Sequence, residues 1–543
     1  MVILVLILFA GFAALVGTMA LGLPVALGAF LAGMGLVIPL VAGCLAPDRL
    51  RRTGRVFVAT ALGTLALIVI LLIPSRGLLG AWQLASPGVL LVLGYVVLSI
   101  PALLAGAGLR RQAERRRWLR RALVGLAVAV LVGTVAFGVY LRGLGLLPFA
   151  RGSRLEAYDR LWVNLERFYS HWETSPVAPE VLSARYRPRI EAADRACRGK
   201  PGPCQPYRDV LRDMLAELQD GHTHLVPLPR LAAPAISVRP VEGQAAVVRV
   251  EPGSDAEAAG LLPGMIITAV DGQPVQDALT QVPGWAVSYT APHTRRYAAY
   301  QRLLAGAPGE TVSVDVLDAA GHSRTVTLHR TGSLEDRQPG VHGARQPGDL
   351  AYIAVDGLVG QDVVAAFDEL LDGMLDAPGL ILDLRGNGGG NSMLGDRMVG
   401  RLITQTVSYG EECLQAAHPM HGWATGCFES TAEPRGRPYL GPVAVLIDTG
   451  IHSSGEWMVA ALCDTGRARC FGRTTAGDSG NPVFFYLPGS TVQFSTGSFR
   501  RVDGTPLNGV GVSPHVEVQW TLDDLRQGRD PDLEAARAWL QGR

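Results

Sequence analysis

Lysine is all but missing from this 543-residue chain: Lys200 stands alone, and arginine supplies every other permanent cation. A phosphate-binding loop ending in Gly-Lys-Ser/Thr is thereby excluded, and any mechanism built on an amine has one residue to draw on. Acids are missing from one region. Residues 1–150 hold only Asp48 and Glu114 against thirteen arginines, a formal charge of +11. The remainder carries 36 basic and 46 acidic residues, a charge of −10, so the near-neutral total of +1 joins two unlike halves. The arginines of the first half lie in loops between apolar runs, an arrangement that offers no nucleic-acid-binding face.

Those apolar runs are long. Residues 1–46 are uncharged and suffice for two passes of about 20 residues, with Gly22-Leu23-Pro24 as the turn; 56–74, 89–108 and 122–141 follow. About five membrane spans are expected over 1–148. Two connections are arginine-rich, Arg49/Arg51/Arg52/Arg55 and 110–121, while the one between them has Arg76 alone. The positive-inside rule then puts the N-terminus in the cytoplasm and everything after about residue 148 in the bacterial periplasm or at the cell exterior. A cleaved signal peptide fits less well, since no basic segment precedes the first run. The expectation is an integral membrane protein with the lipid bilayer as a partner.

Cysteine is also scarce. Of seven, Cys44 lies in an expected span and the others fall as Cys197/Cys204, Cys413/Cys427 and Cys463/Cys470. Even, close pairing in a half expected to face an oxidising compartment reads as three short-loop disulfides. Zinc would call for Cys-x-x-Cys or histidine spacings that these pairs lack. No metal and no cofactor is expected.

In the second half, 154–225 shows helical spacing, as in Leu161-Trp162-Leu165-Phe168-Tyr169, and ends by delivering His222 and His224 on a turn. Residues 236–330 alternate as short strands around Gly260-Leu-Leu-Pro-Gly, a passage that resembles a PDZ domain, in which a peptide adds as an extra strand. From 349 strand and helix alternate. The buried-strand run 380–384 leads into Arg385-Gly-Asn-Gly-Gly-Gly-Asn391, whose clustered glycines expose backbone N–H groups as an anion site requires. A second apolar run, 443–447, stops at Asp448-Thr449-Gly450 and passes through Ile451-His-Ser-Ser-Gly-Glu456 into a helical pattern. Strand, tight turn and helix lift a serine out of the sheet beside free helix N-terminal N–H groups, but Ser453-x-x-Glu456 equally fits a capping box. This window alone leaves both readings open.

Together these pieces resemble the tail-specific, or C-terminal processing, serine peptidase family. The likeness spans roughly 155–520 and is carried by Leu218-Gln-Asp-Gly-His-Thr, Leu380 through Gly390, Ser453-Ser-Gly-Glu and Gly509-Val-Gly-Val-Ser-Pro. With the apolar runs it gives the expectation of a multi-domain fold: a helical membrane bundle of about five spans (1–148), a helical cap (150–232), a PDZ-like β domain (235–332), an α/β crotonase-like peptidase core (347–522) and a C-terminal helix (523–543). It also implies Ser453 as nucleophile and an oxyanion hole from the N–H groups of Ser454 and Gly389. Where the better-known branch carries its catalytic lysine this chain has Asp478, so the resemblance points to the tricorn-core branch with His222 as base. Asn508 stands where that branch has a glutamate; it or Asp478 is the expected orienting group. The implied activity is hydrolysis of extracytoplasmic proteins or peptides by a serine endopeptidase; the alternative is an inactive scaffold that binds peptides or apolar ligands through its PDZ-like region and cleft. Oligomeric state is left open.

Overall fold

Helix α1 (Arg154–Phe168) is opened by a capping box: the Ser153 hydroxyl accepts from the Glu156 N–H while the Glu156 carboxylate accepts from the Ser153 N–H. Helices α2 (Pro179–Ala196) and α3 (Gln205–Ala216) each have proline in the first turn, where its missing N–H costs nothing. Their apolar stripes bury Tyr158, Leu161, Leu182 and Leu211. The computed structural model describes residues 153–542 apart from 200–202, 334–339, 361 and 416–425.

After the turn that follows α3 and the short β1 (His224–Val226) comes an antiparallel sheet. It is built from β2 (Ile236–Val241), β3 (Gln244–Val250), β4 (Ile266–Val270), β5 (Thr311–Leu317) and β6 (Ser323–His329), in that order across the sheet. Along β5, Val312, Val314 and Val316 turn inward, the period-two pattern of a half-buried strand, and meet Val247, Ile267 and Leu328. Helix α4 (Pro292–Gln301) lies beside β2, the edge strand.

The central sheet follows. Strand β7 (Val341–Gln346) pairs antiparallel with β8 (Leu350–Val355); beyond α5 (Val363–Asp372), β9 (Leu380–Asp383) runs parallel to β8. Helix α6 (Ser392–Val399), β10 (Val407–Leu414) and β11 (Gly426–Ala432) intervene before β12 (Val443–Ile447), α7 (Ser454–Cys463) and β13 (Arg469–Gly472). The hairpin of β14 (Pro482–Leu487) and β15 (Ser490–Ser495), then β16 (Gly497–Arg501), β17 (Val516–Glu517), α8 (Leu522–Gln527) and α9 (Pro531–Gln541) complete the chain. The sheet order is β7-β8-β9-β12-β13-β17, parallel after the first pair.

Every residue of β9 and β12 is buried because helices cover both faces, which is why these strands read as unbroken apolar runs. Leu380, Leu382, Val443, Val445 and Ile447 face the cluster containing α5 and α7, while Ile381, Ala444 and Leu446 face Ala536 and Leu540 of α9. The β14–β15 hairpin contributes Phe485 and Phe494 to the core under α1–α3. The three parallel strands β9, β12 and β13 end along one edge, at Asp383, Ile447 and Gly472, where sheets of this type place their sites.

Two expectations need correction. The fold is mostly α/β with several sheets, and no helix among the described residues is long and apolar enough to cross a membrane. The longest helix used above, α2, spans 18 residues but carries Arg185, Arg187, Arg189, Glu191 and Asp194, as suits a helix burying one stripe only. That finding stands against the five-span bundle and the integral-membrane placement built on it; residues 1–148, where the spans were expected, lie outside the described residues. The stretch expected as a single C-terminal helix forms two, because Gly528 closes α8 at φ +66° and Asp530-Pro531 opens α9. The three cysteine pairs are joined as their spacing suggested: Cys197–Cys204, Cys413–Cys427 and Cys463–Cys470.

Helix α9 is tied to the sheet edge by Asp532, fully buried, which accepts from Arg385 at 3.0 Å, Arg473 at 2.7 and 2.9 Å, and the Trp520 indole at 3.1 Å. Asp532→Ala should strand Arg473 without its buried anion, while Arg385 keeps Asp383 and Asp530, and destabilise the protein by about 3 kcal/mol. Urea unfolding checks this; an unchanged midpoint would show that the network holds nothing.

Candidate active site

The turn between β12 and α7 carries Ser453 at φ +53°, ψ −128°, a conformation that a side-chain-bearing residue adopts only under compulsion. It is a sharp strand-to-helix elbow. The Ser453 side chain makes no capping hydrogen bond. Glu456, the last member of the apparent capping box, points inward instead, fully buried, and accepts from the Thr475 hydroxyl (2.6 Å) and the N–H groups of Gly477 (2.6 Å) and Asp478 (2.8 Å). The Ser453 N–H itself donates to the Asp478 carbonyl at 2.9 Å.

The glycine-rich loop after β9 lies against this elbow. Buried Asp448 stitches the two together by accepting from Gly386 N–H at 2.8 Å and Gly450 N–H at 3.0 Å. His452 N–H donates to the Asn387 carbonyl at 3.0 Å, and the buried Asn387 amide holds the loop by donating to Val355 O and accepting from Gly389 N–H, both at 2.9 Å. The Gly389 N–H is thus committed to Asn387. What Gly389 supplies is room: at φ +87°, a Cβ there would lie 2.7 Å from His452 O, 2.8 Å from Ser453 Cβ and 3.0 Å from Ser454 N. Ser454 N, at the first turn of α7, and Gly388 N make no hydrogen bond among the described residues.

His222 reaches the same place from the turn after α3. Asp220 accepts from the His222 N–H at 3.0 Å and from the Thr223 hydroxyl at 2.5 Å, while Gly221 packs so closely that a Cβ would meet Asp478 Oδ2 at 2.5 Å. His222 Nδ1 hydrogen-bonds Asp478 Oδ1 at 3.3 Å, leaving Nε2 as the ring's other nitrogen. His452 Nδ1 meets the second oxygen, Oδ2, at 3.2 Å. His224 turns away to Gly221 O. Asn508 bonds neither ring: it accepts from Ser479 N–H at 3.0 Å and donates to the Thr290 hydroxyl at 3.4 Å.

Residues 349–518 match peptidase family S41. The likeness to that family rests on this segment, under half of the chain. It is 26% identical over 414 residues to a tricorn protease homologue of Streptomyces coelicolor, covering 70% of this chain and 32% of that protein. To the carboxy-terminal processing protease CtpA of Bacillus subtilis it is 24% identical over 305 residues, 55% of this chain and 58% of the relative. The chain thus spans about a third and under three-fifths of those two relatives. The solved structure of mature CPAF complexed with lactacystin has a similar fold, with a TM-score of 0.54 at 15% identity over 72% of this chain and 97% of that one.

Buried carboxylates set the electrostatics of this cluster. Burial opposes the charge on Asp478, yet His222 and His452 hold its carboxyl far below the ordinary range. Burial likewise opposes protonation of His222, but the charge and hydrogen bond of Asp478, with Asp220 and Glu456 beyond, raise it from 6.5 to about 9. Burial pushes Glu456 up to about 7, against the pull of its donors. Sequence reasoning missed Asp448 and the double engagement of Asp478; the one available signal was an aspartate at each of two strand-following turns. Gly389→Ala, whose added Cβ pushes the glycine loop off Ser453 and Ser454 N, should drop turnover at least ~100-fold while leaving a cooperative melt. An active Gly389→Ala enzyme would show that the loop does not border the reacting atoms.

Proposed function

We propose that this chain is a serine endopeptidase acting on protein or peptide substrates. The coarse reading, a serine peptidase, is supported by the match of residues 349–518 to family S41; the roles below are inferred from the site's geometry. Ser453 is the nucleophile, and the observation that carries this is its strained elbow conformation between β12 and α7. His222 Nε2 accepts the hydroxyl proton as Ser453 Oγ attacks the scissile carbonyl. Asp478, through Nδ1, fixes the ring and stabilises the imidazolium that forms, the second of the two groups expected for that part. The oxyanion is received by the Ser454 N–H and the glycine loop, with Gly388 N–H in the place first given to Gly389. Imidazolium then returns the proton to the leaving amine, and water repeats the sequence on the acyl-enzyme. Asn508 holds the 477–479 loop that carries Asp478.

The antiparallel sheet 236–329 is read as PDZ-like. Its edge strand β2, flanked by α4, offers a main-chain ladder to an extended peptide. The two named relatives are a tricorn protease homologue and a carboxy-terminal processing protease, which agrees with a peptide tail as substrate.

A fluorophosphonate should label Ser453 and leave Ser453→Ala unlabelled. Ser453→Ala and His222→Ala should each remove at least ~10³-fold in turnover, with the double variant little worse than either. Because the base must be neutral, the rate should rise with pH towards a midpoint near the raised value of about 9, rather than near the ordinary histidine value; Asp478→Asn should bring that midpoint down. Full labelling of Ser453→Ala, or most activity kept by His222→Ala, would sink the assignment.

A further inference from the structure

Asp478 has two oxygens, and two imidazoles hold them. His222 bonds Oδ1 from the turn after α3; His452 bonds Oδ2 from the position directly before Ser453. A carboxylate's terminal torsion is broad and two-fold, so one donor leaves its plane poorly defined while donors on separate oxygens fix it. His452 is itself held: its N–H is bonded to Asn387 O, its carbonyl accepts from Gly455 N–H, and its ring centroid lies 5.4 Å from that of Tyr289. Tyr289 in turn packs on Gly221, where a Cβ would approach its ring to 2.6 Å. His452, Asp478, Tyr289 and the turn bearing His222 therefore form one cluster.

We propose that His452 is a positioning residue for the base: its Nδ1–H holds the Asp478 carboxylate so that the other oxygen stays on His222 Nδ1 and Nε2 stays directed to Ser453. This rests on the assignment of Ser453 and His222 above. The charged and titratable groups around the two rings are Asp478, Asp220, Glu456, His171, His224 and Tyr289. Asp478 alone among them bonds both rings. Removing the second donor concentrates the Asp478 charge on His222, so the His222 titration moves up while the ring loses its fixed orientation.

The test uses the full chain with His452→Ala, with His452→Phe to keep a ring against Tyr289 without a donor, and with His452→Asn, whose side-chain N–H reaches about as far as Nδ1. In a Ser453→Ala background, where turnover plays no part, NMR titration of His222 should move up by about half a unit or more in the donor-free variants and return in His452→Asn. With Ser453 present, kcat should fall ~10- to 100-fold in His452→Ala and His452→Phe at little change in KM, and His452→Asn should recover to within about threefold of the parent. An unmoved His222 midpoint in both donor-free variants overturns the proposal. So does equal loss in all three variants, or inactivity as deep as that of His222→Ala, which would make His452 the base. Failure of the nucleophile assignment is read separately, as activity surviving in Ser453→Ala.

Discussion

A serine held at φ +53° stays there only because its neighbours leave it no alternative, and everything at this sheet edge depends on that constraint. Such a conformation costs about 1–3 kcal/mol. It is countered from both sides by the peptide of Asp478, whose carbonyl accepts from Ser453 and whose N–H donates to buried Glu456, one turn into α7. From below, Asn387 O holds His452, and the bare Cα of Gly389 lets the two loops close on each other. The strain is over-determined by segments distant in sequence, so the elbow is a product of the whole core and cannot be made by the turn alone.

Buried carboxylates accepting main-chain N–H groups do much of this stitching. Asp448 bonds Gly386 and Gly450, Glu456 bonds Gly477 and Asp478, and Asp220 bonds His222. Each closes a loop at the carboxyl edge of the strands or beside it, and each is a group whose loss would leave amides unpaired in a dry place. Arg239 of β2 meets Asp448 at 3.4 Å, so the antiparallel sheet touches the same anchor that holds the glycine loop to the elbow.

Much of this was legible in the residues. The runs 380–384 and 443–447 read as buried strands because both faces are covered, and the glycines after the first read as an exposed-amide loop. The Ser-x-x-Glu window was ambiguous because local spacing cannot say whether Glu456 turns back to its own helix start or inward to a loop twenty residues on. The orienting group was illegible for the same reason: Asn508 and Asp478 both lie near the site, and only tertiary register decides that Asp478 reaches the ring. The break in the C-terminal helix had a signal, Gly528 followed by Asp530-Pro531, that helical periodicity on either side obscured. The apolar N-terminal runs supported a membrane reading that no described helix bears out.

Asp478, at the position where the resemblance implies a lysine in the better-known branch, reverses the electrostatic problem. A lysine base must have its charge discouraged; here the carboxylates of Asp478, Asp220 and Glu456 encourage charge on His222. On the proposed roles, each unit by which they raise the imidazole removes tenfold of neutral base at pH 7, while proton transfer that is incomplete in the transition state returns less than tenfold in reactivity. The arrangement therefore loses rate at neutral pH in the free enzyme and gains it above the imidazole midpoint. On the same roles a substrate bound over Ser453 would exclude water from His222, and desolvation already opposes protonation of this ring. Binding would then shift the balance towards neutral imidazole, and the same anions would stabilise the imidazolium formed on the proposed acylation.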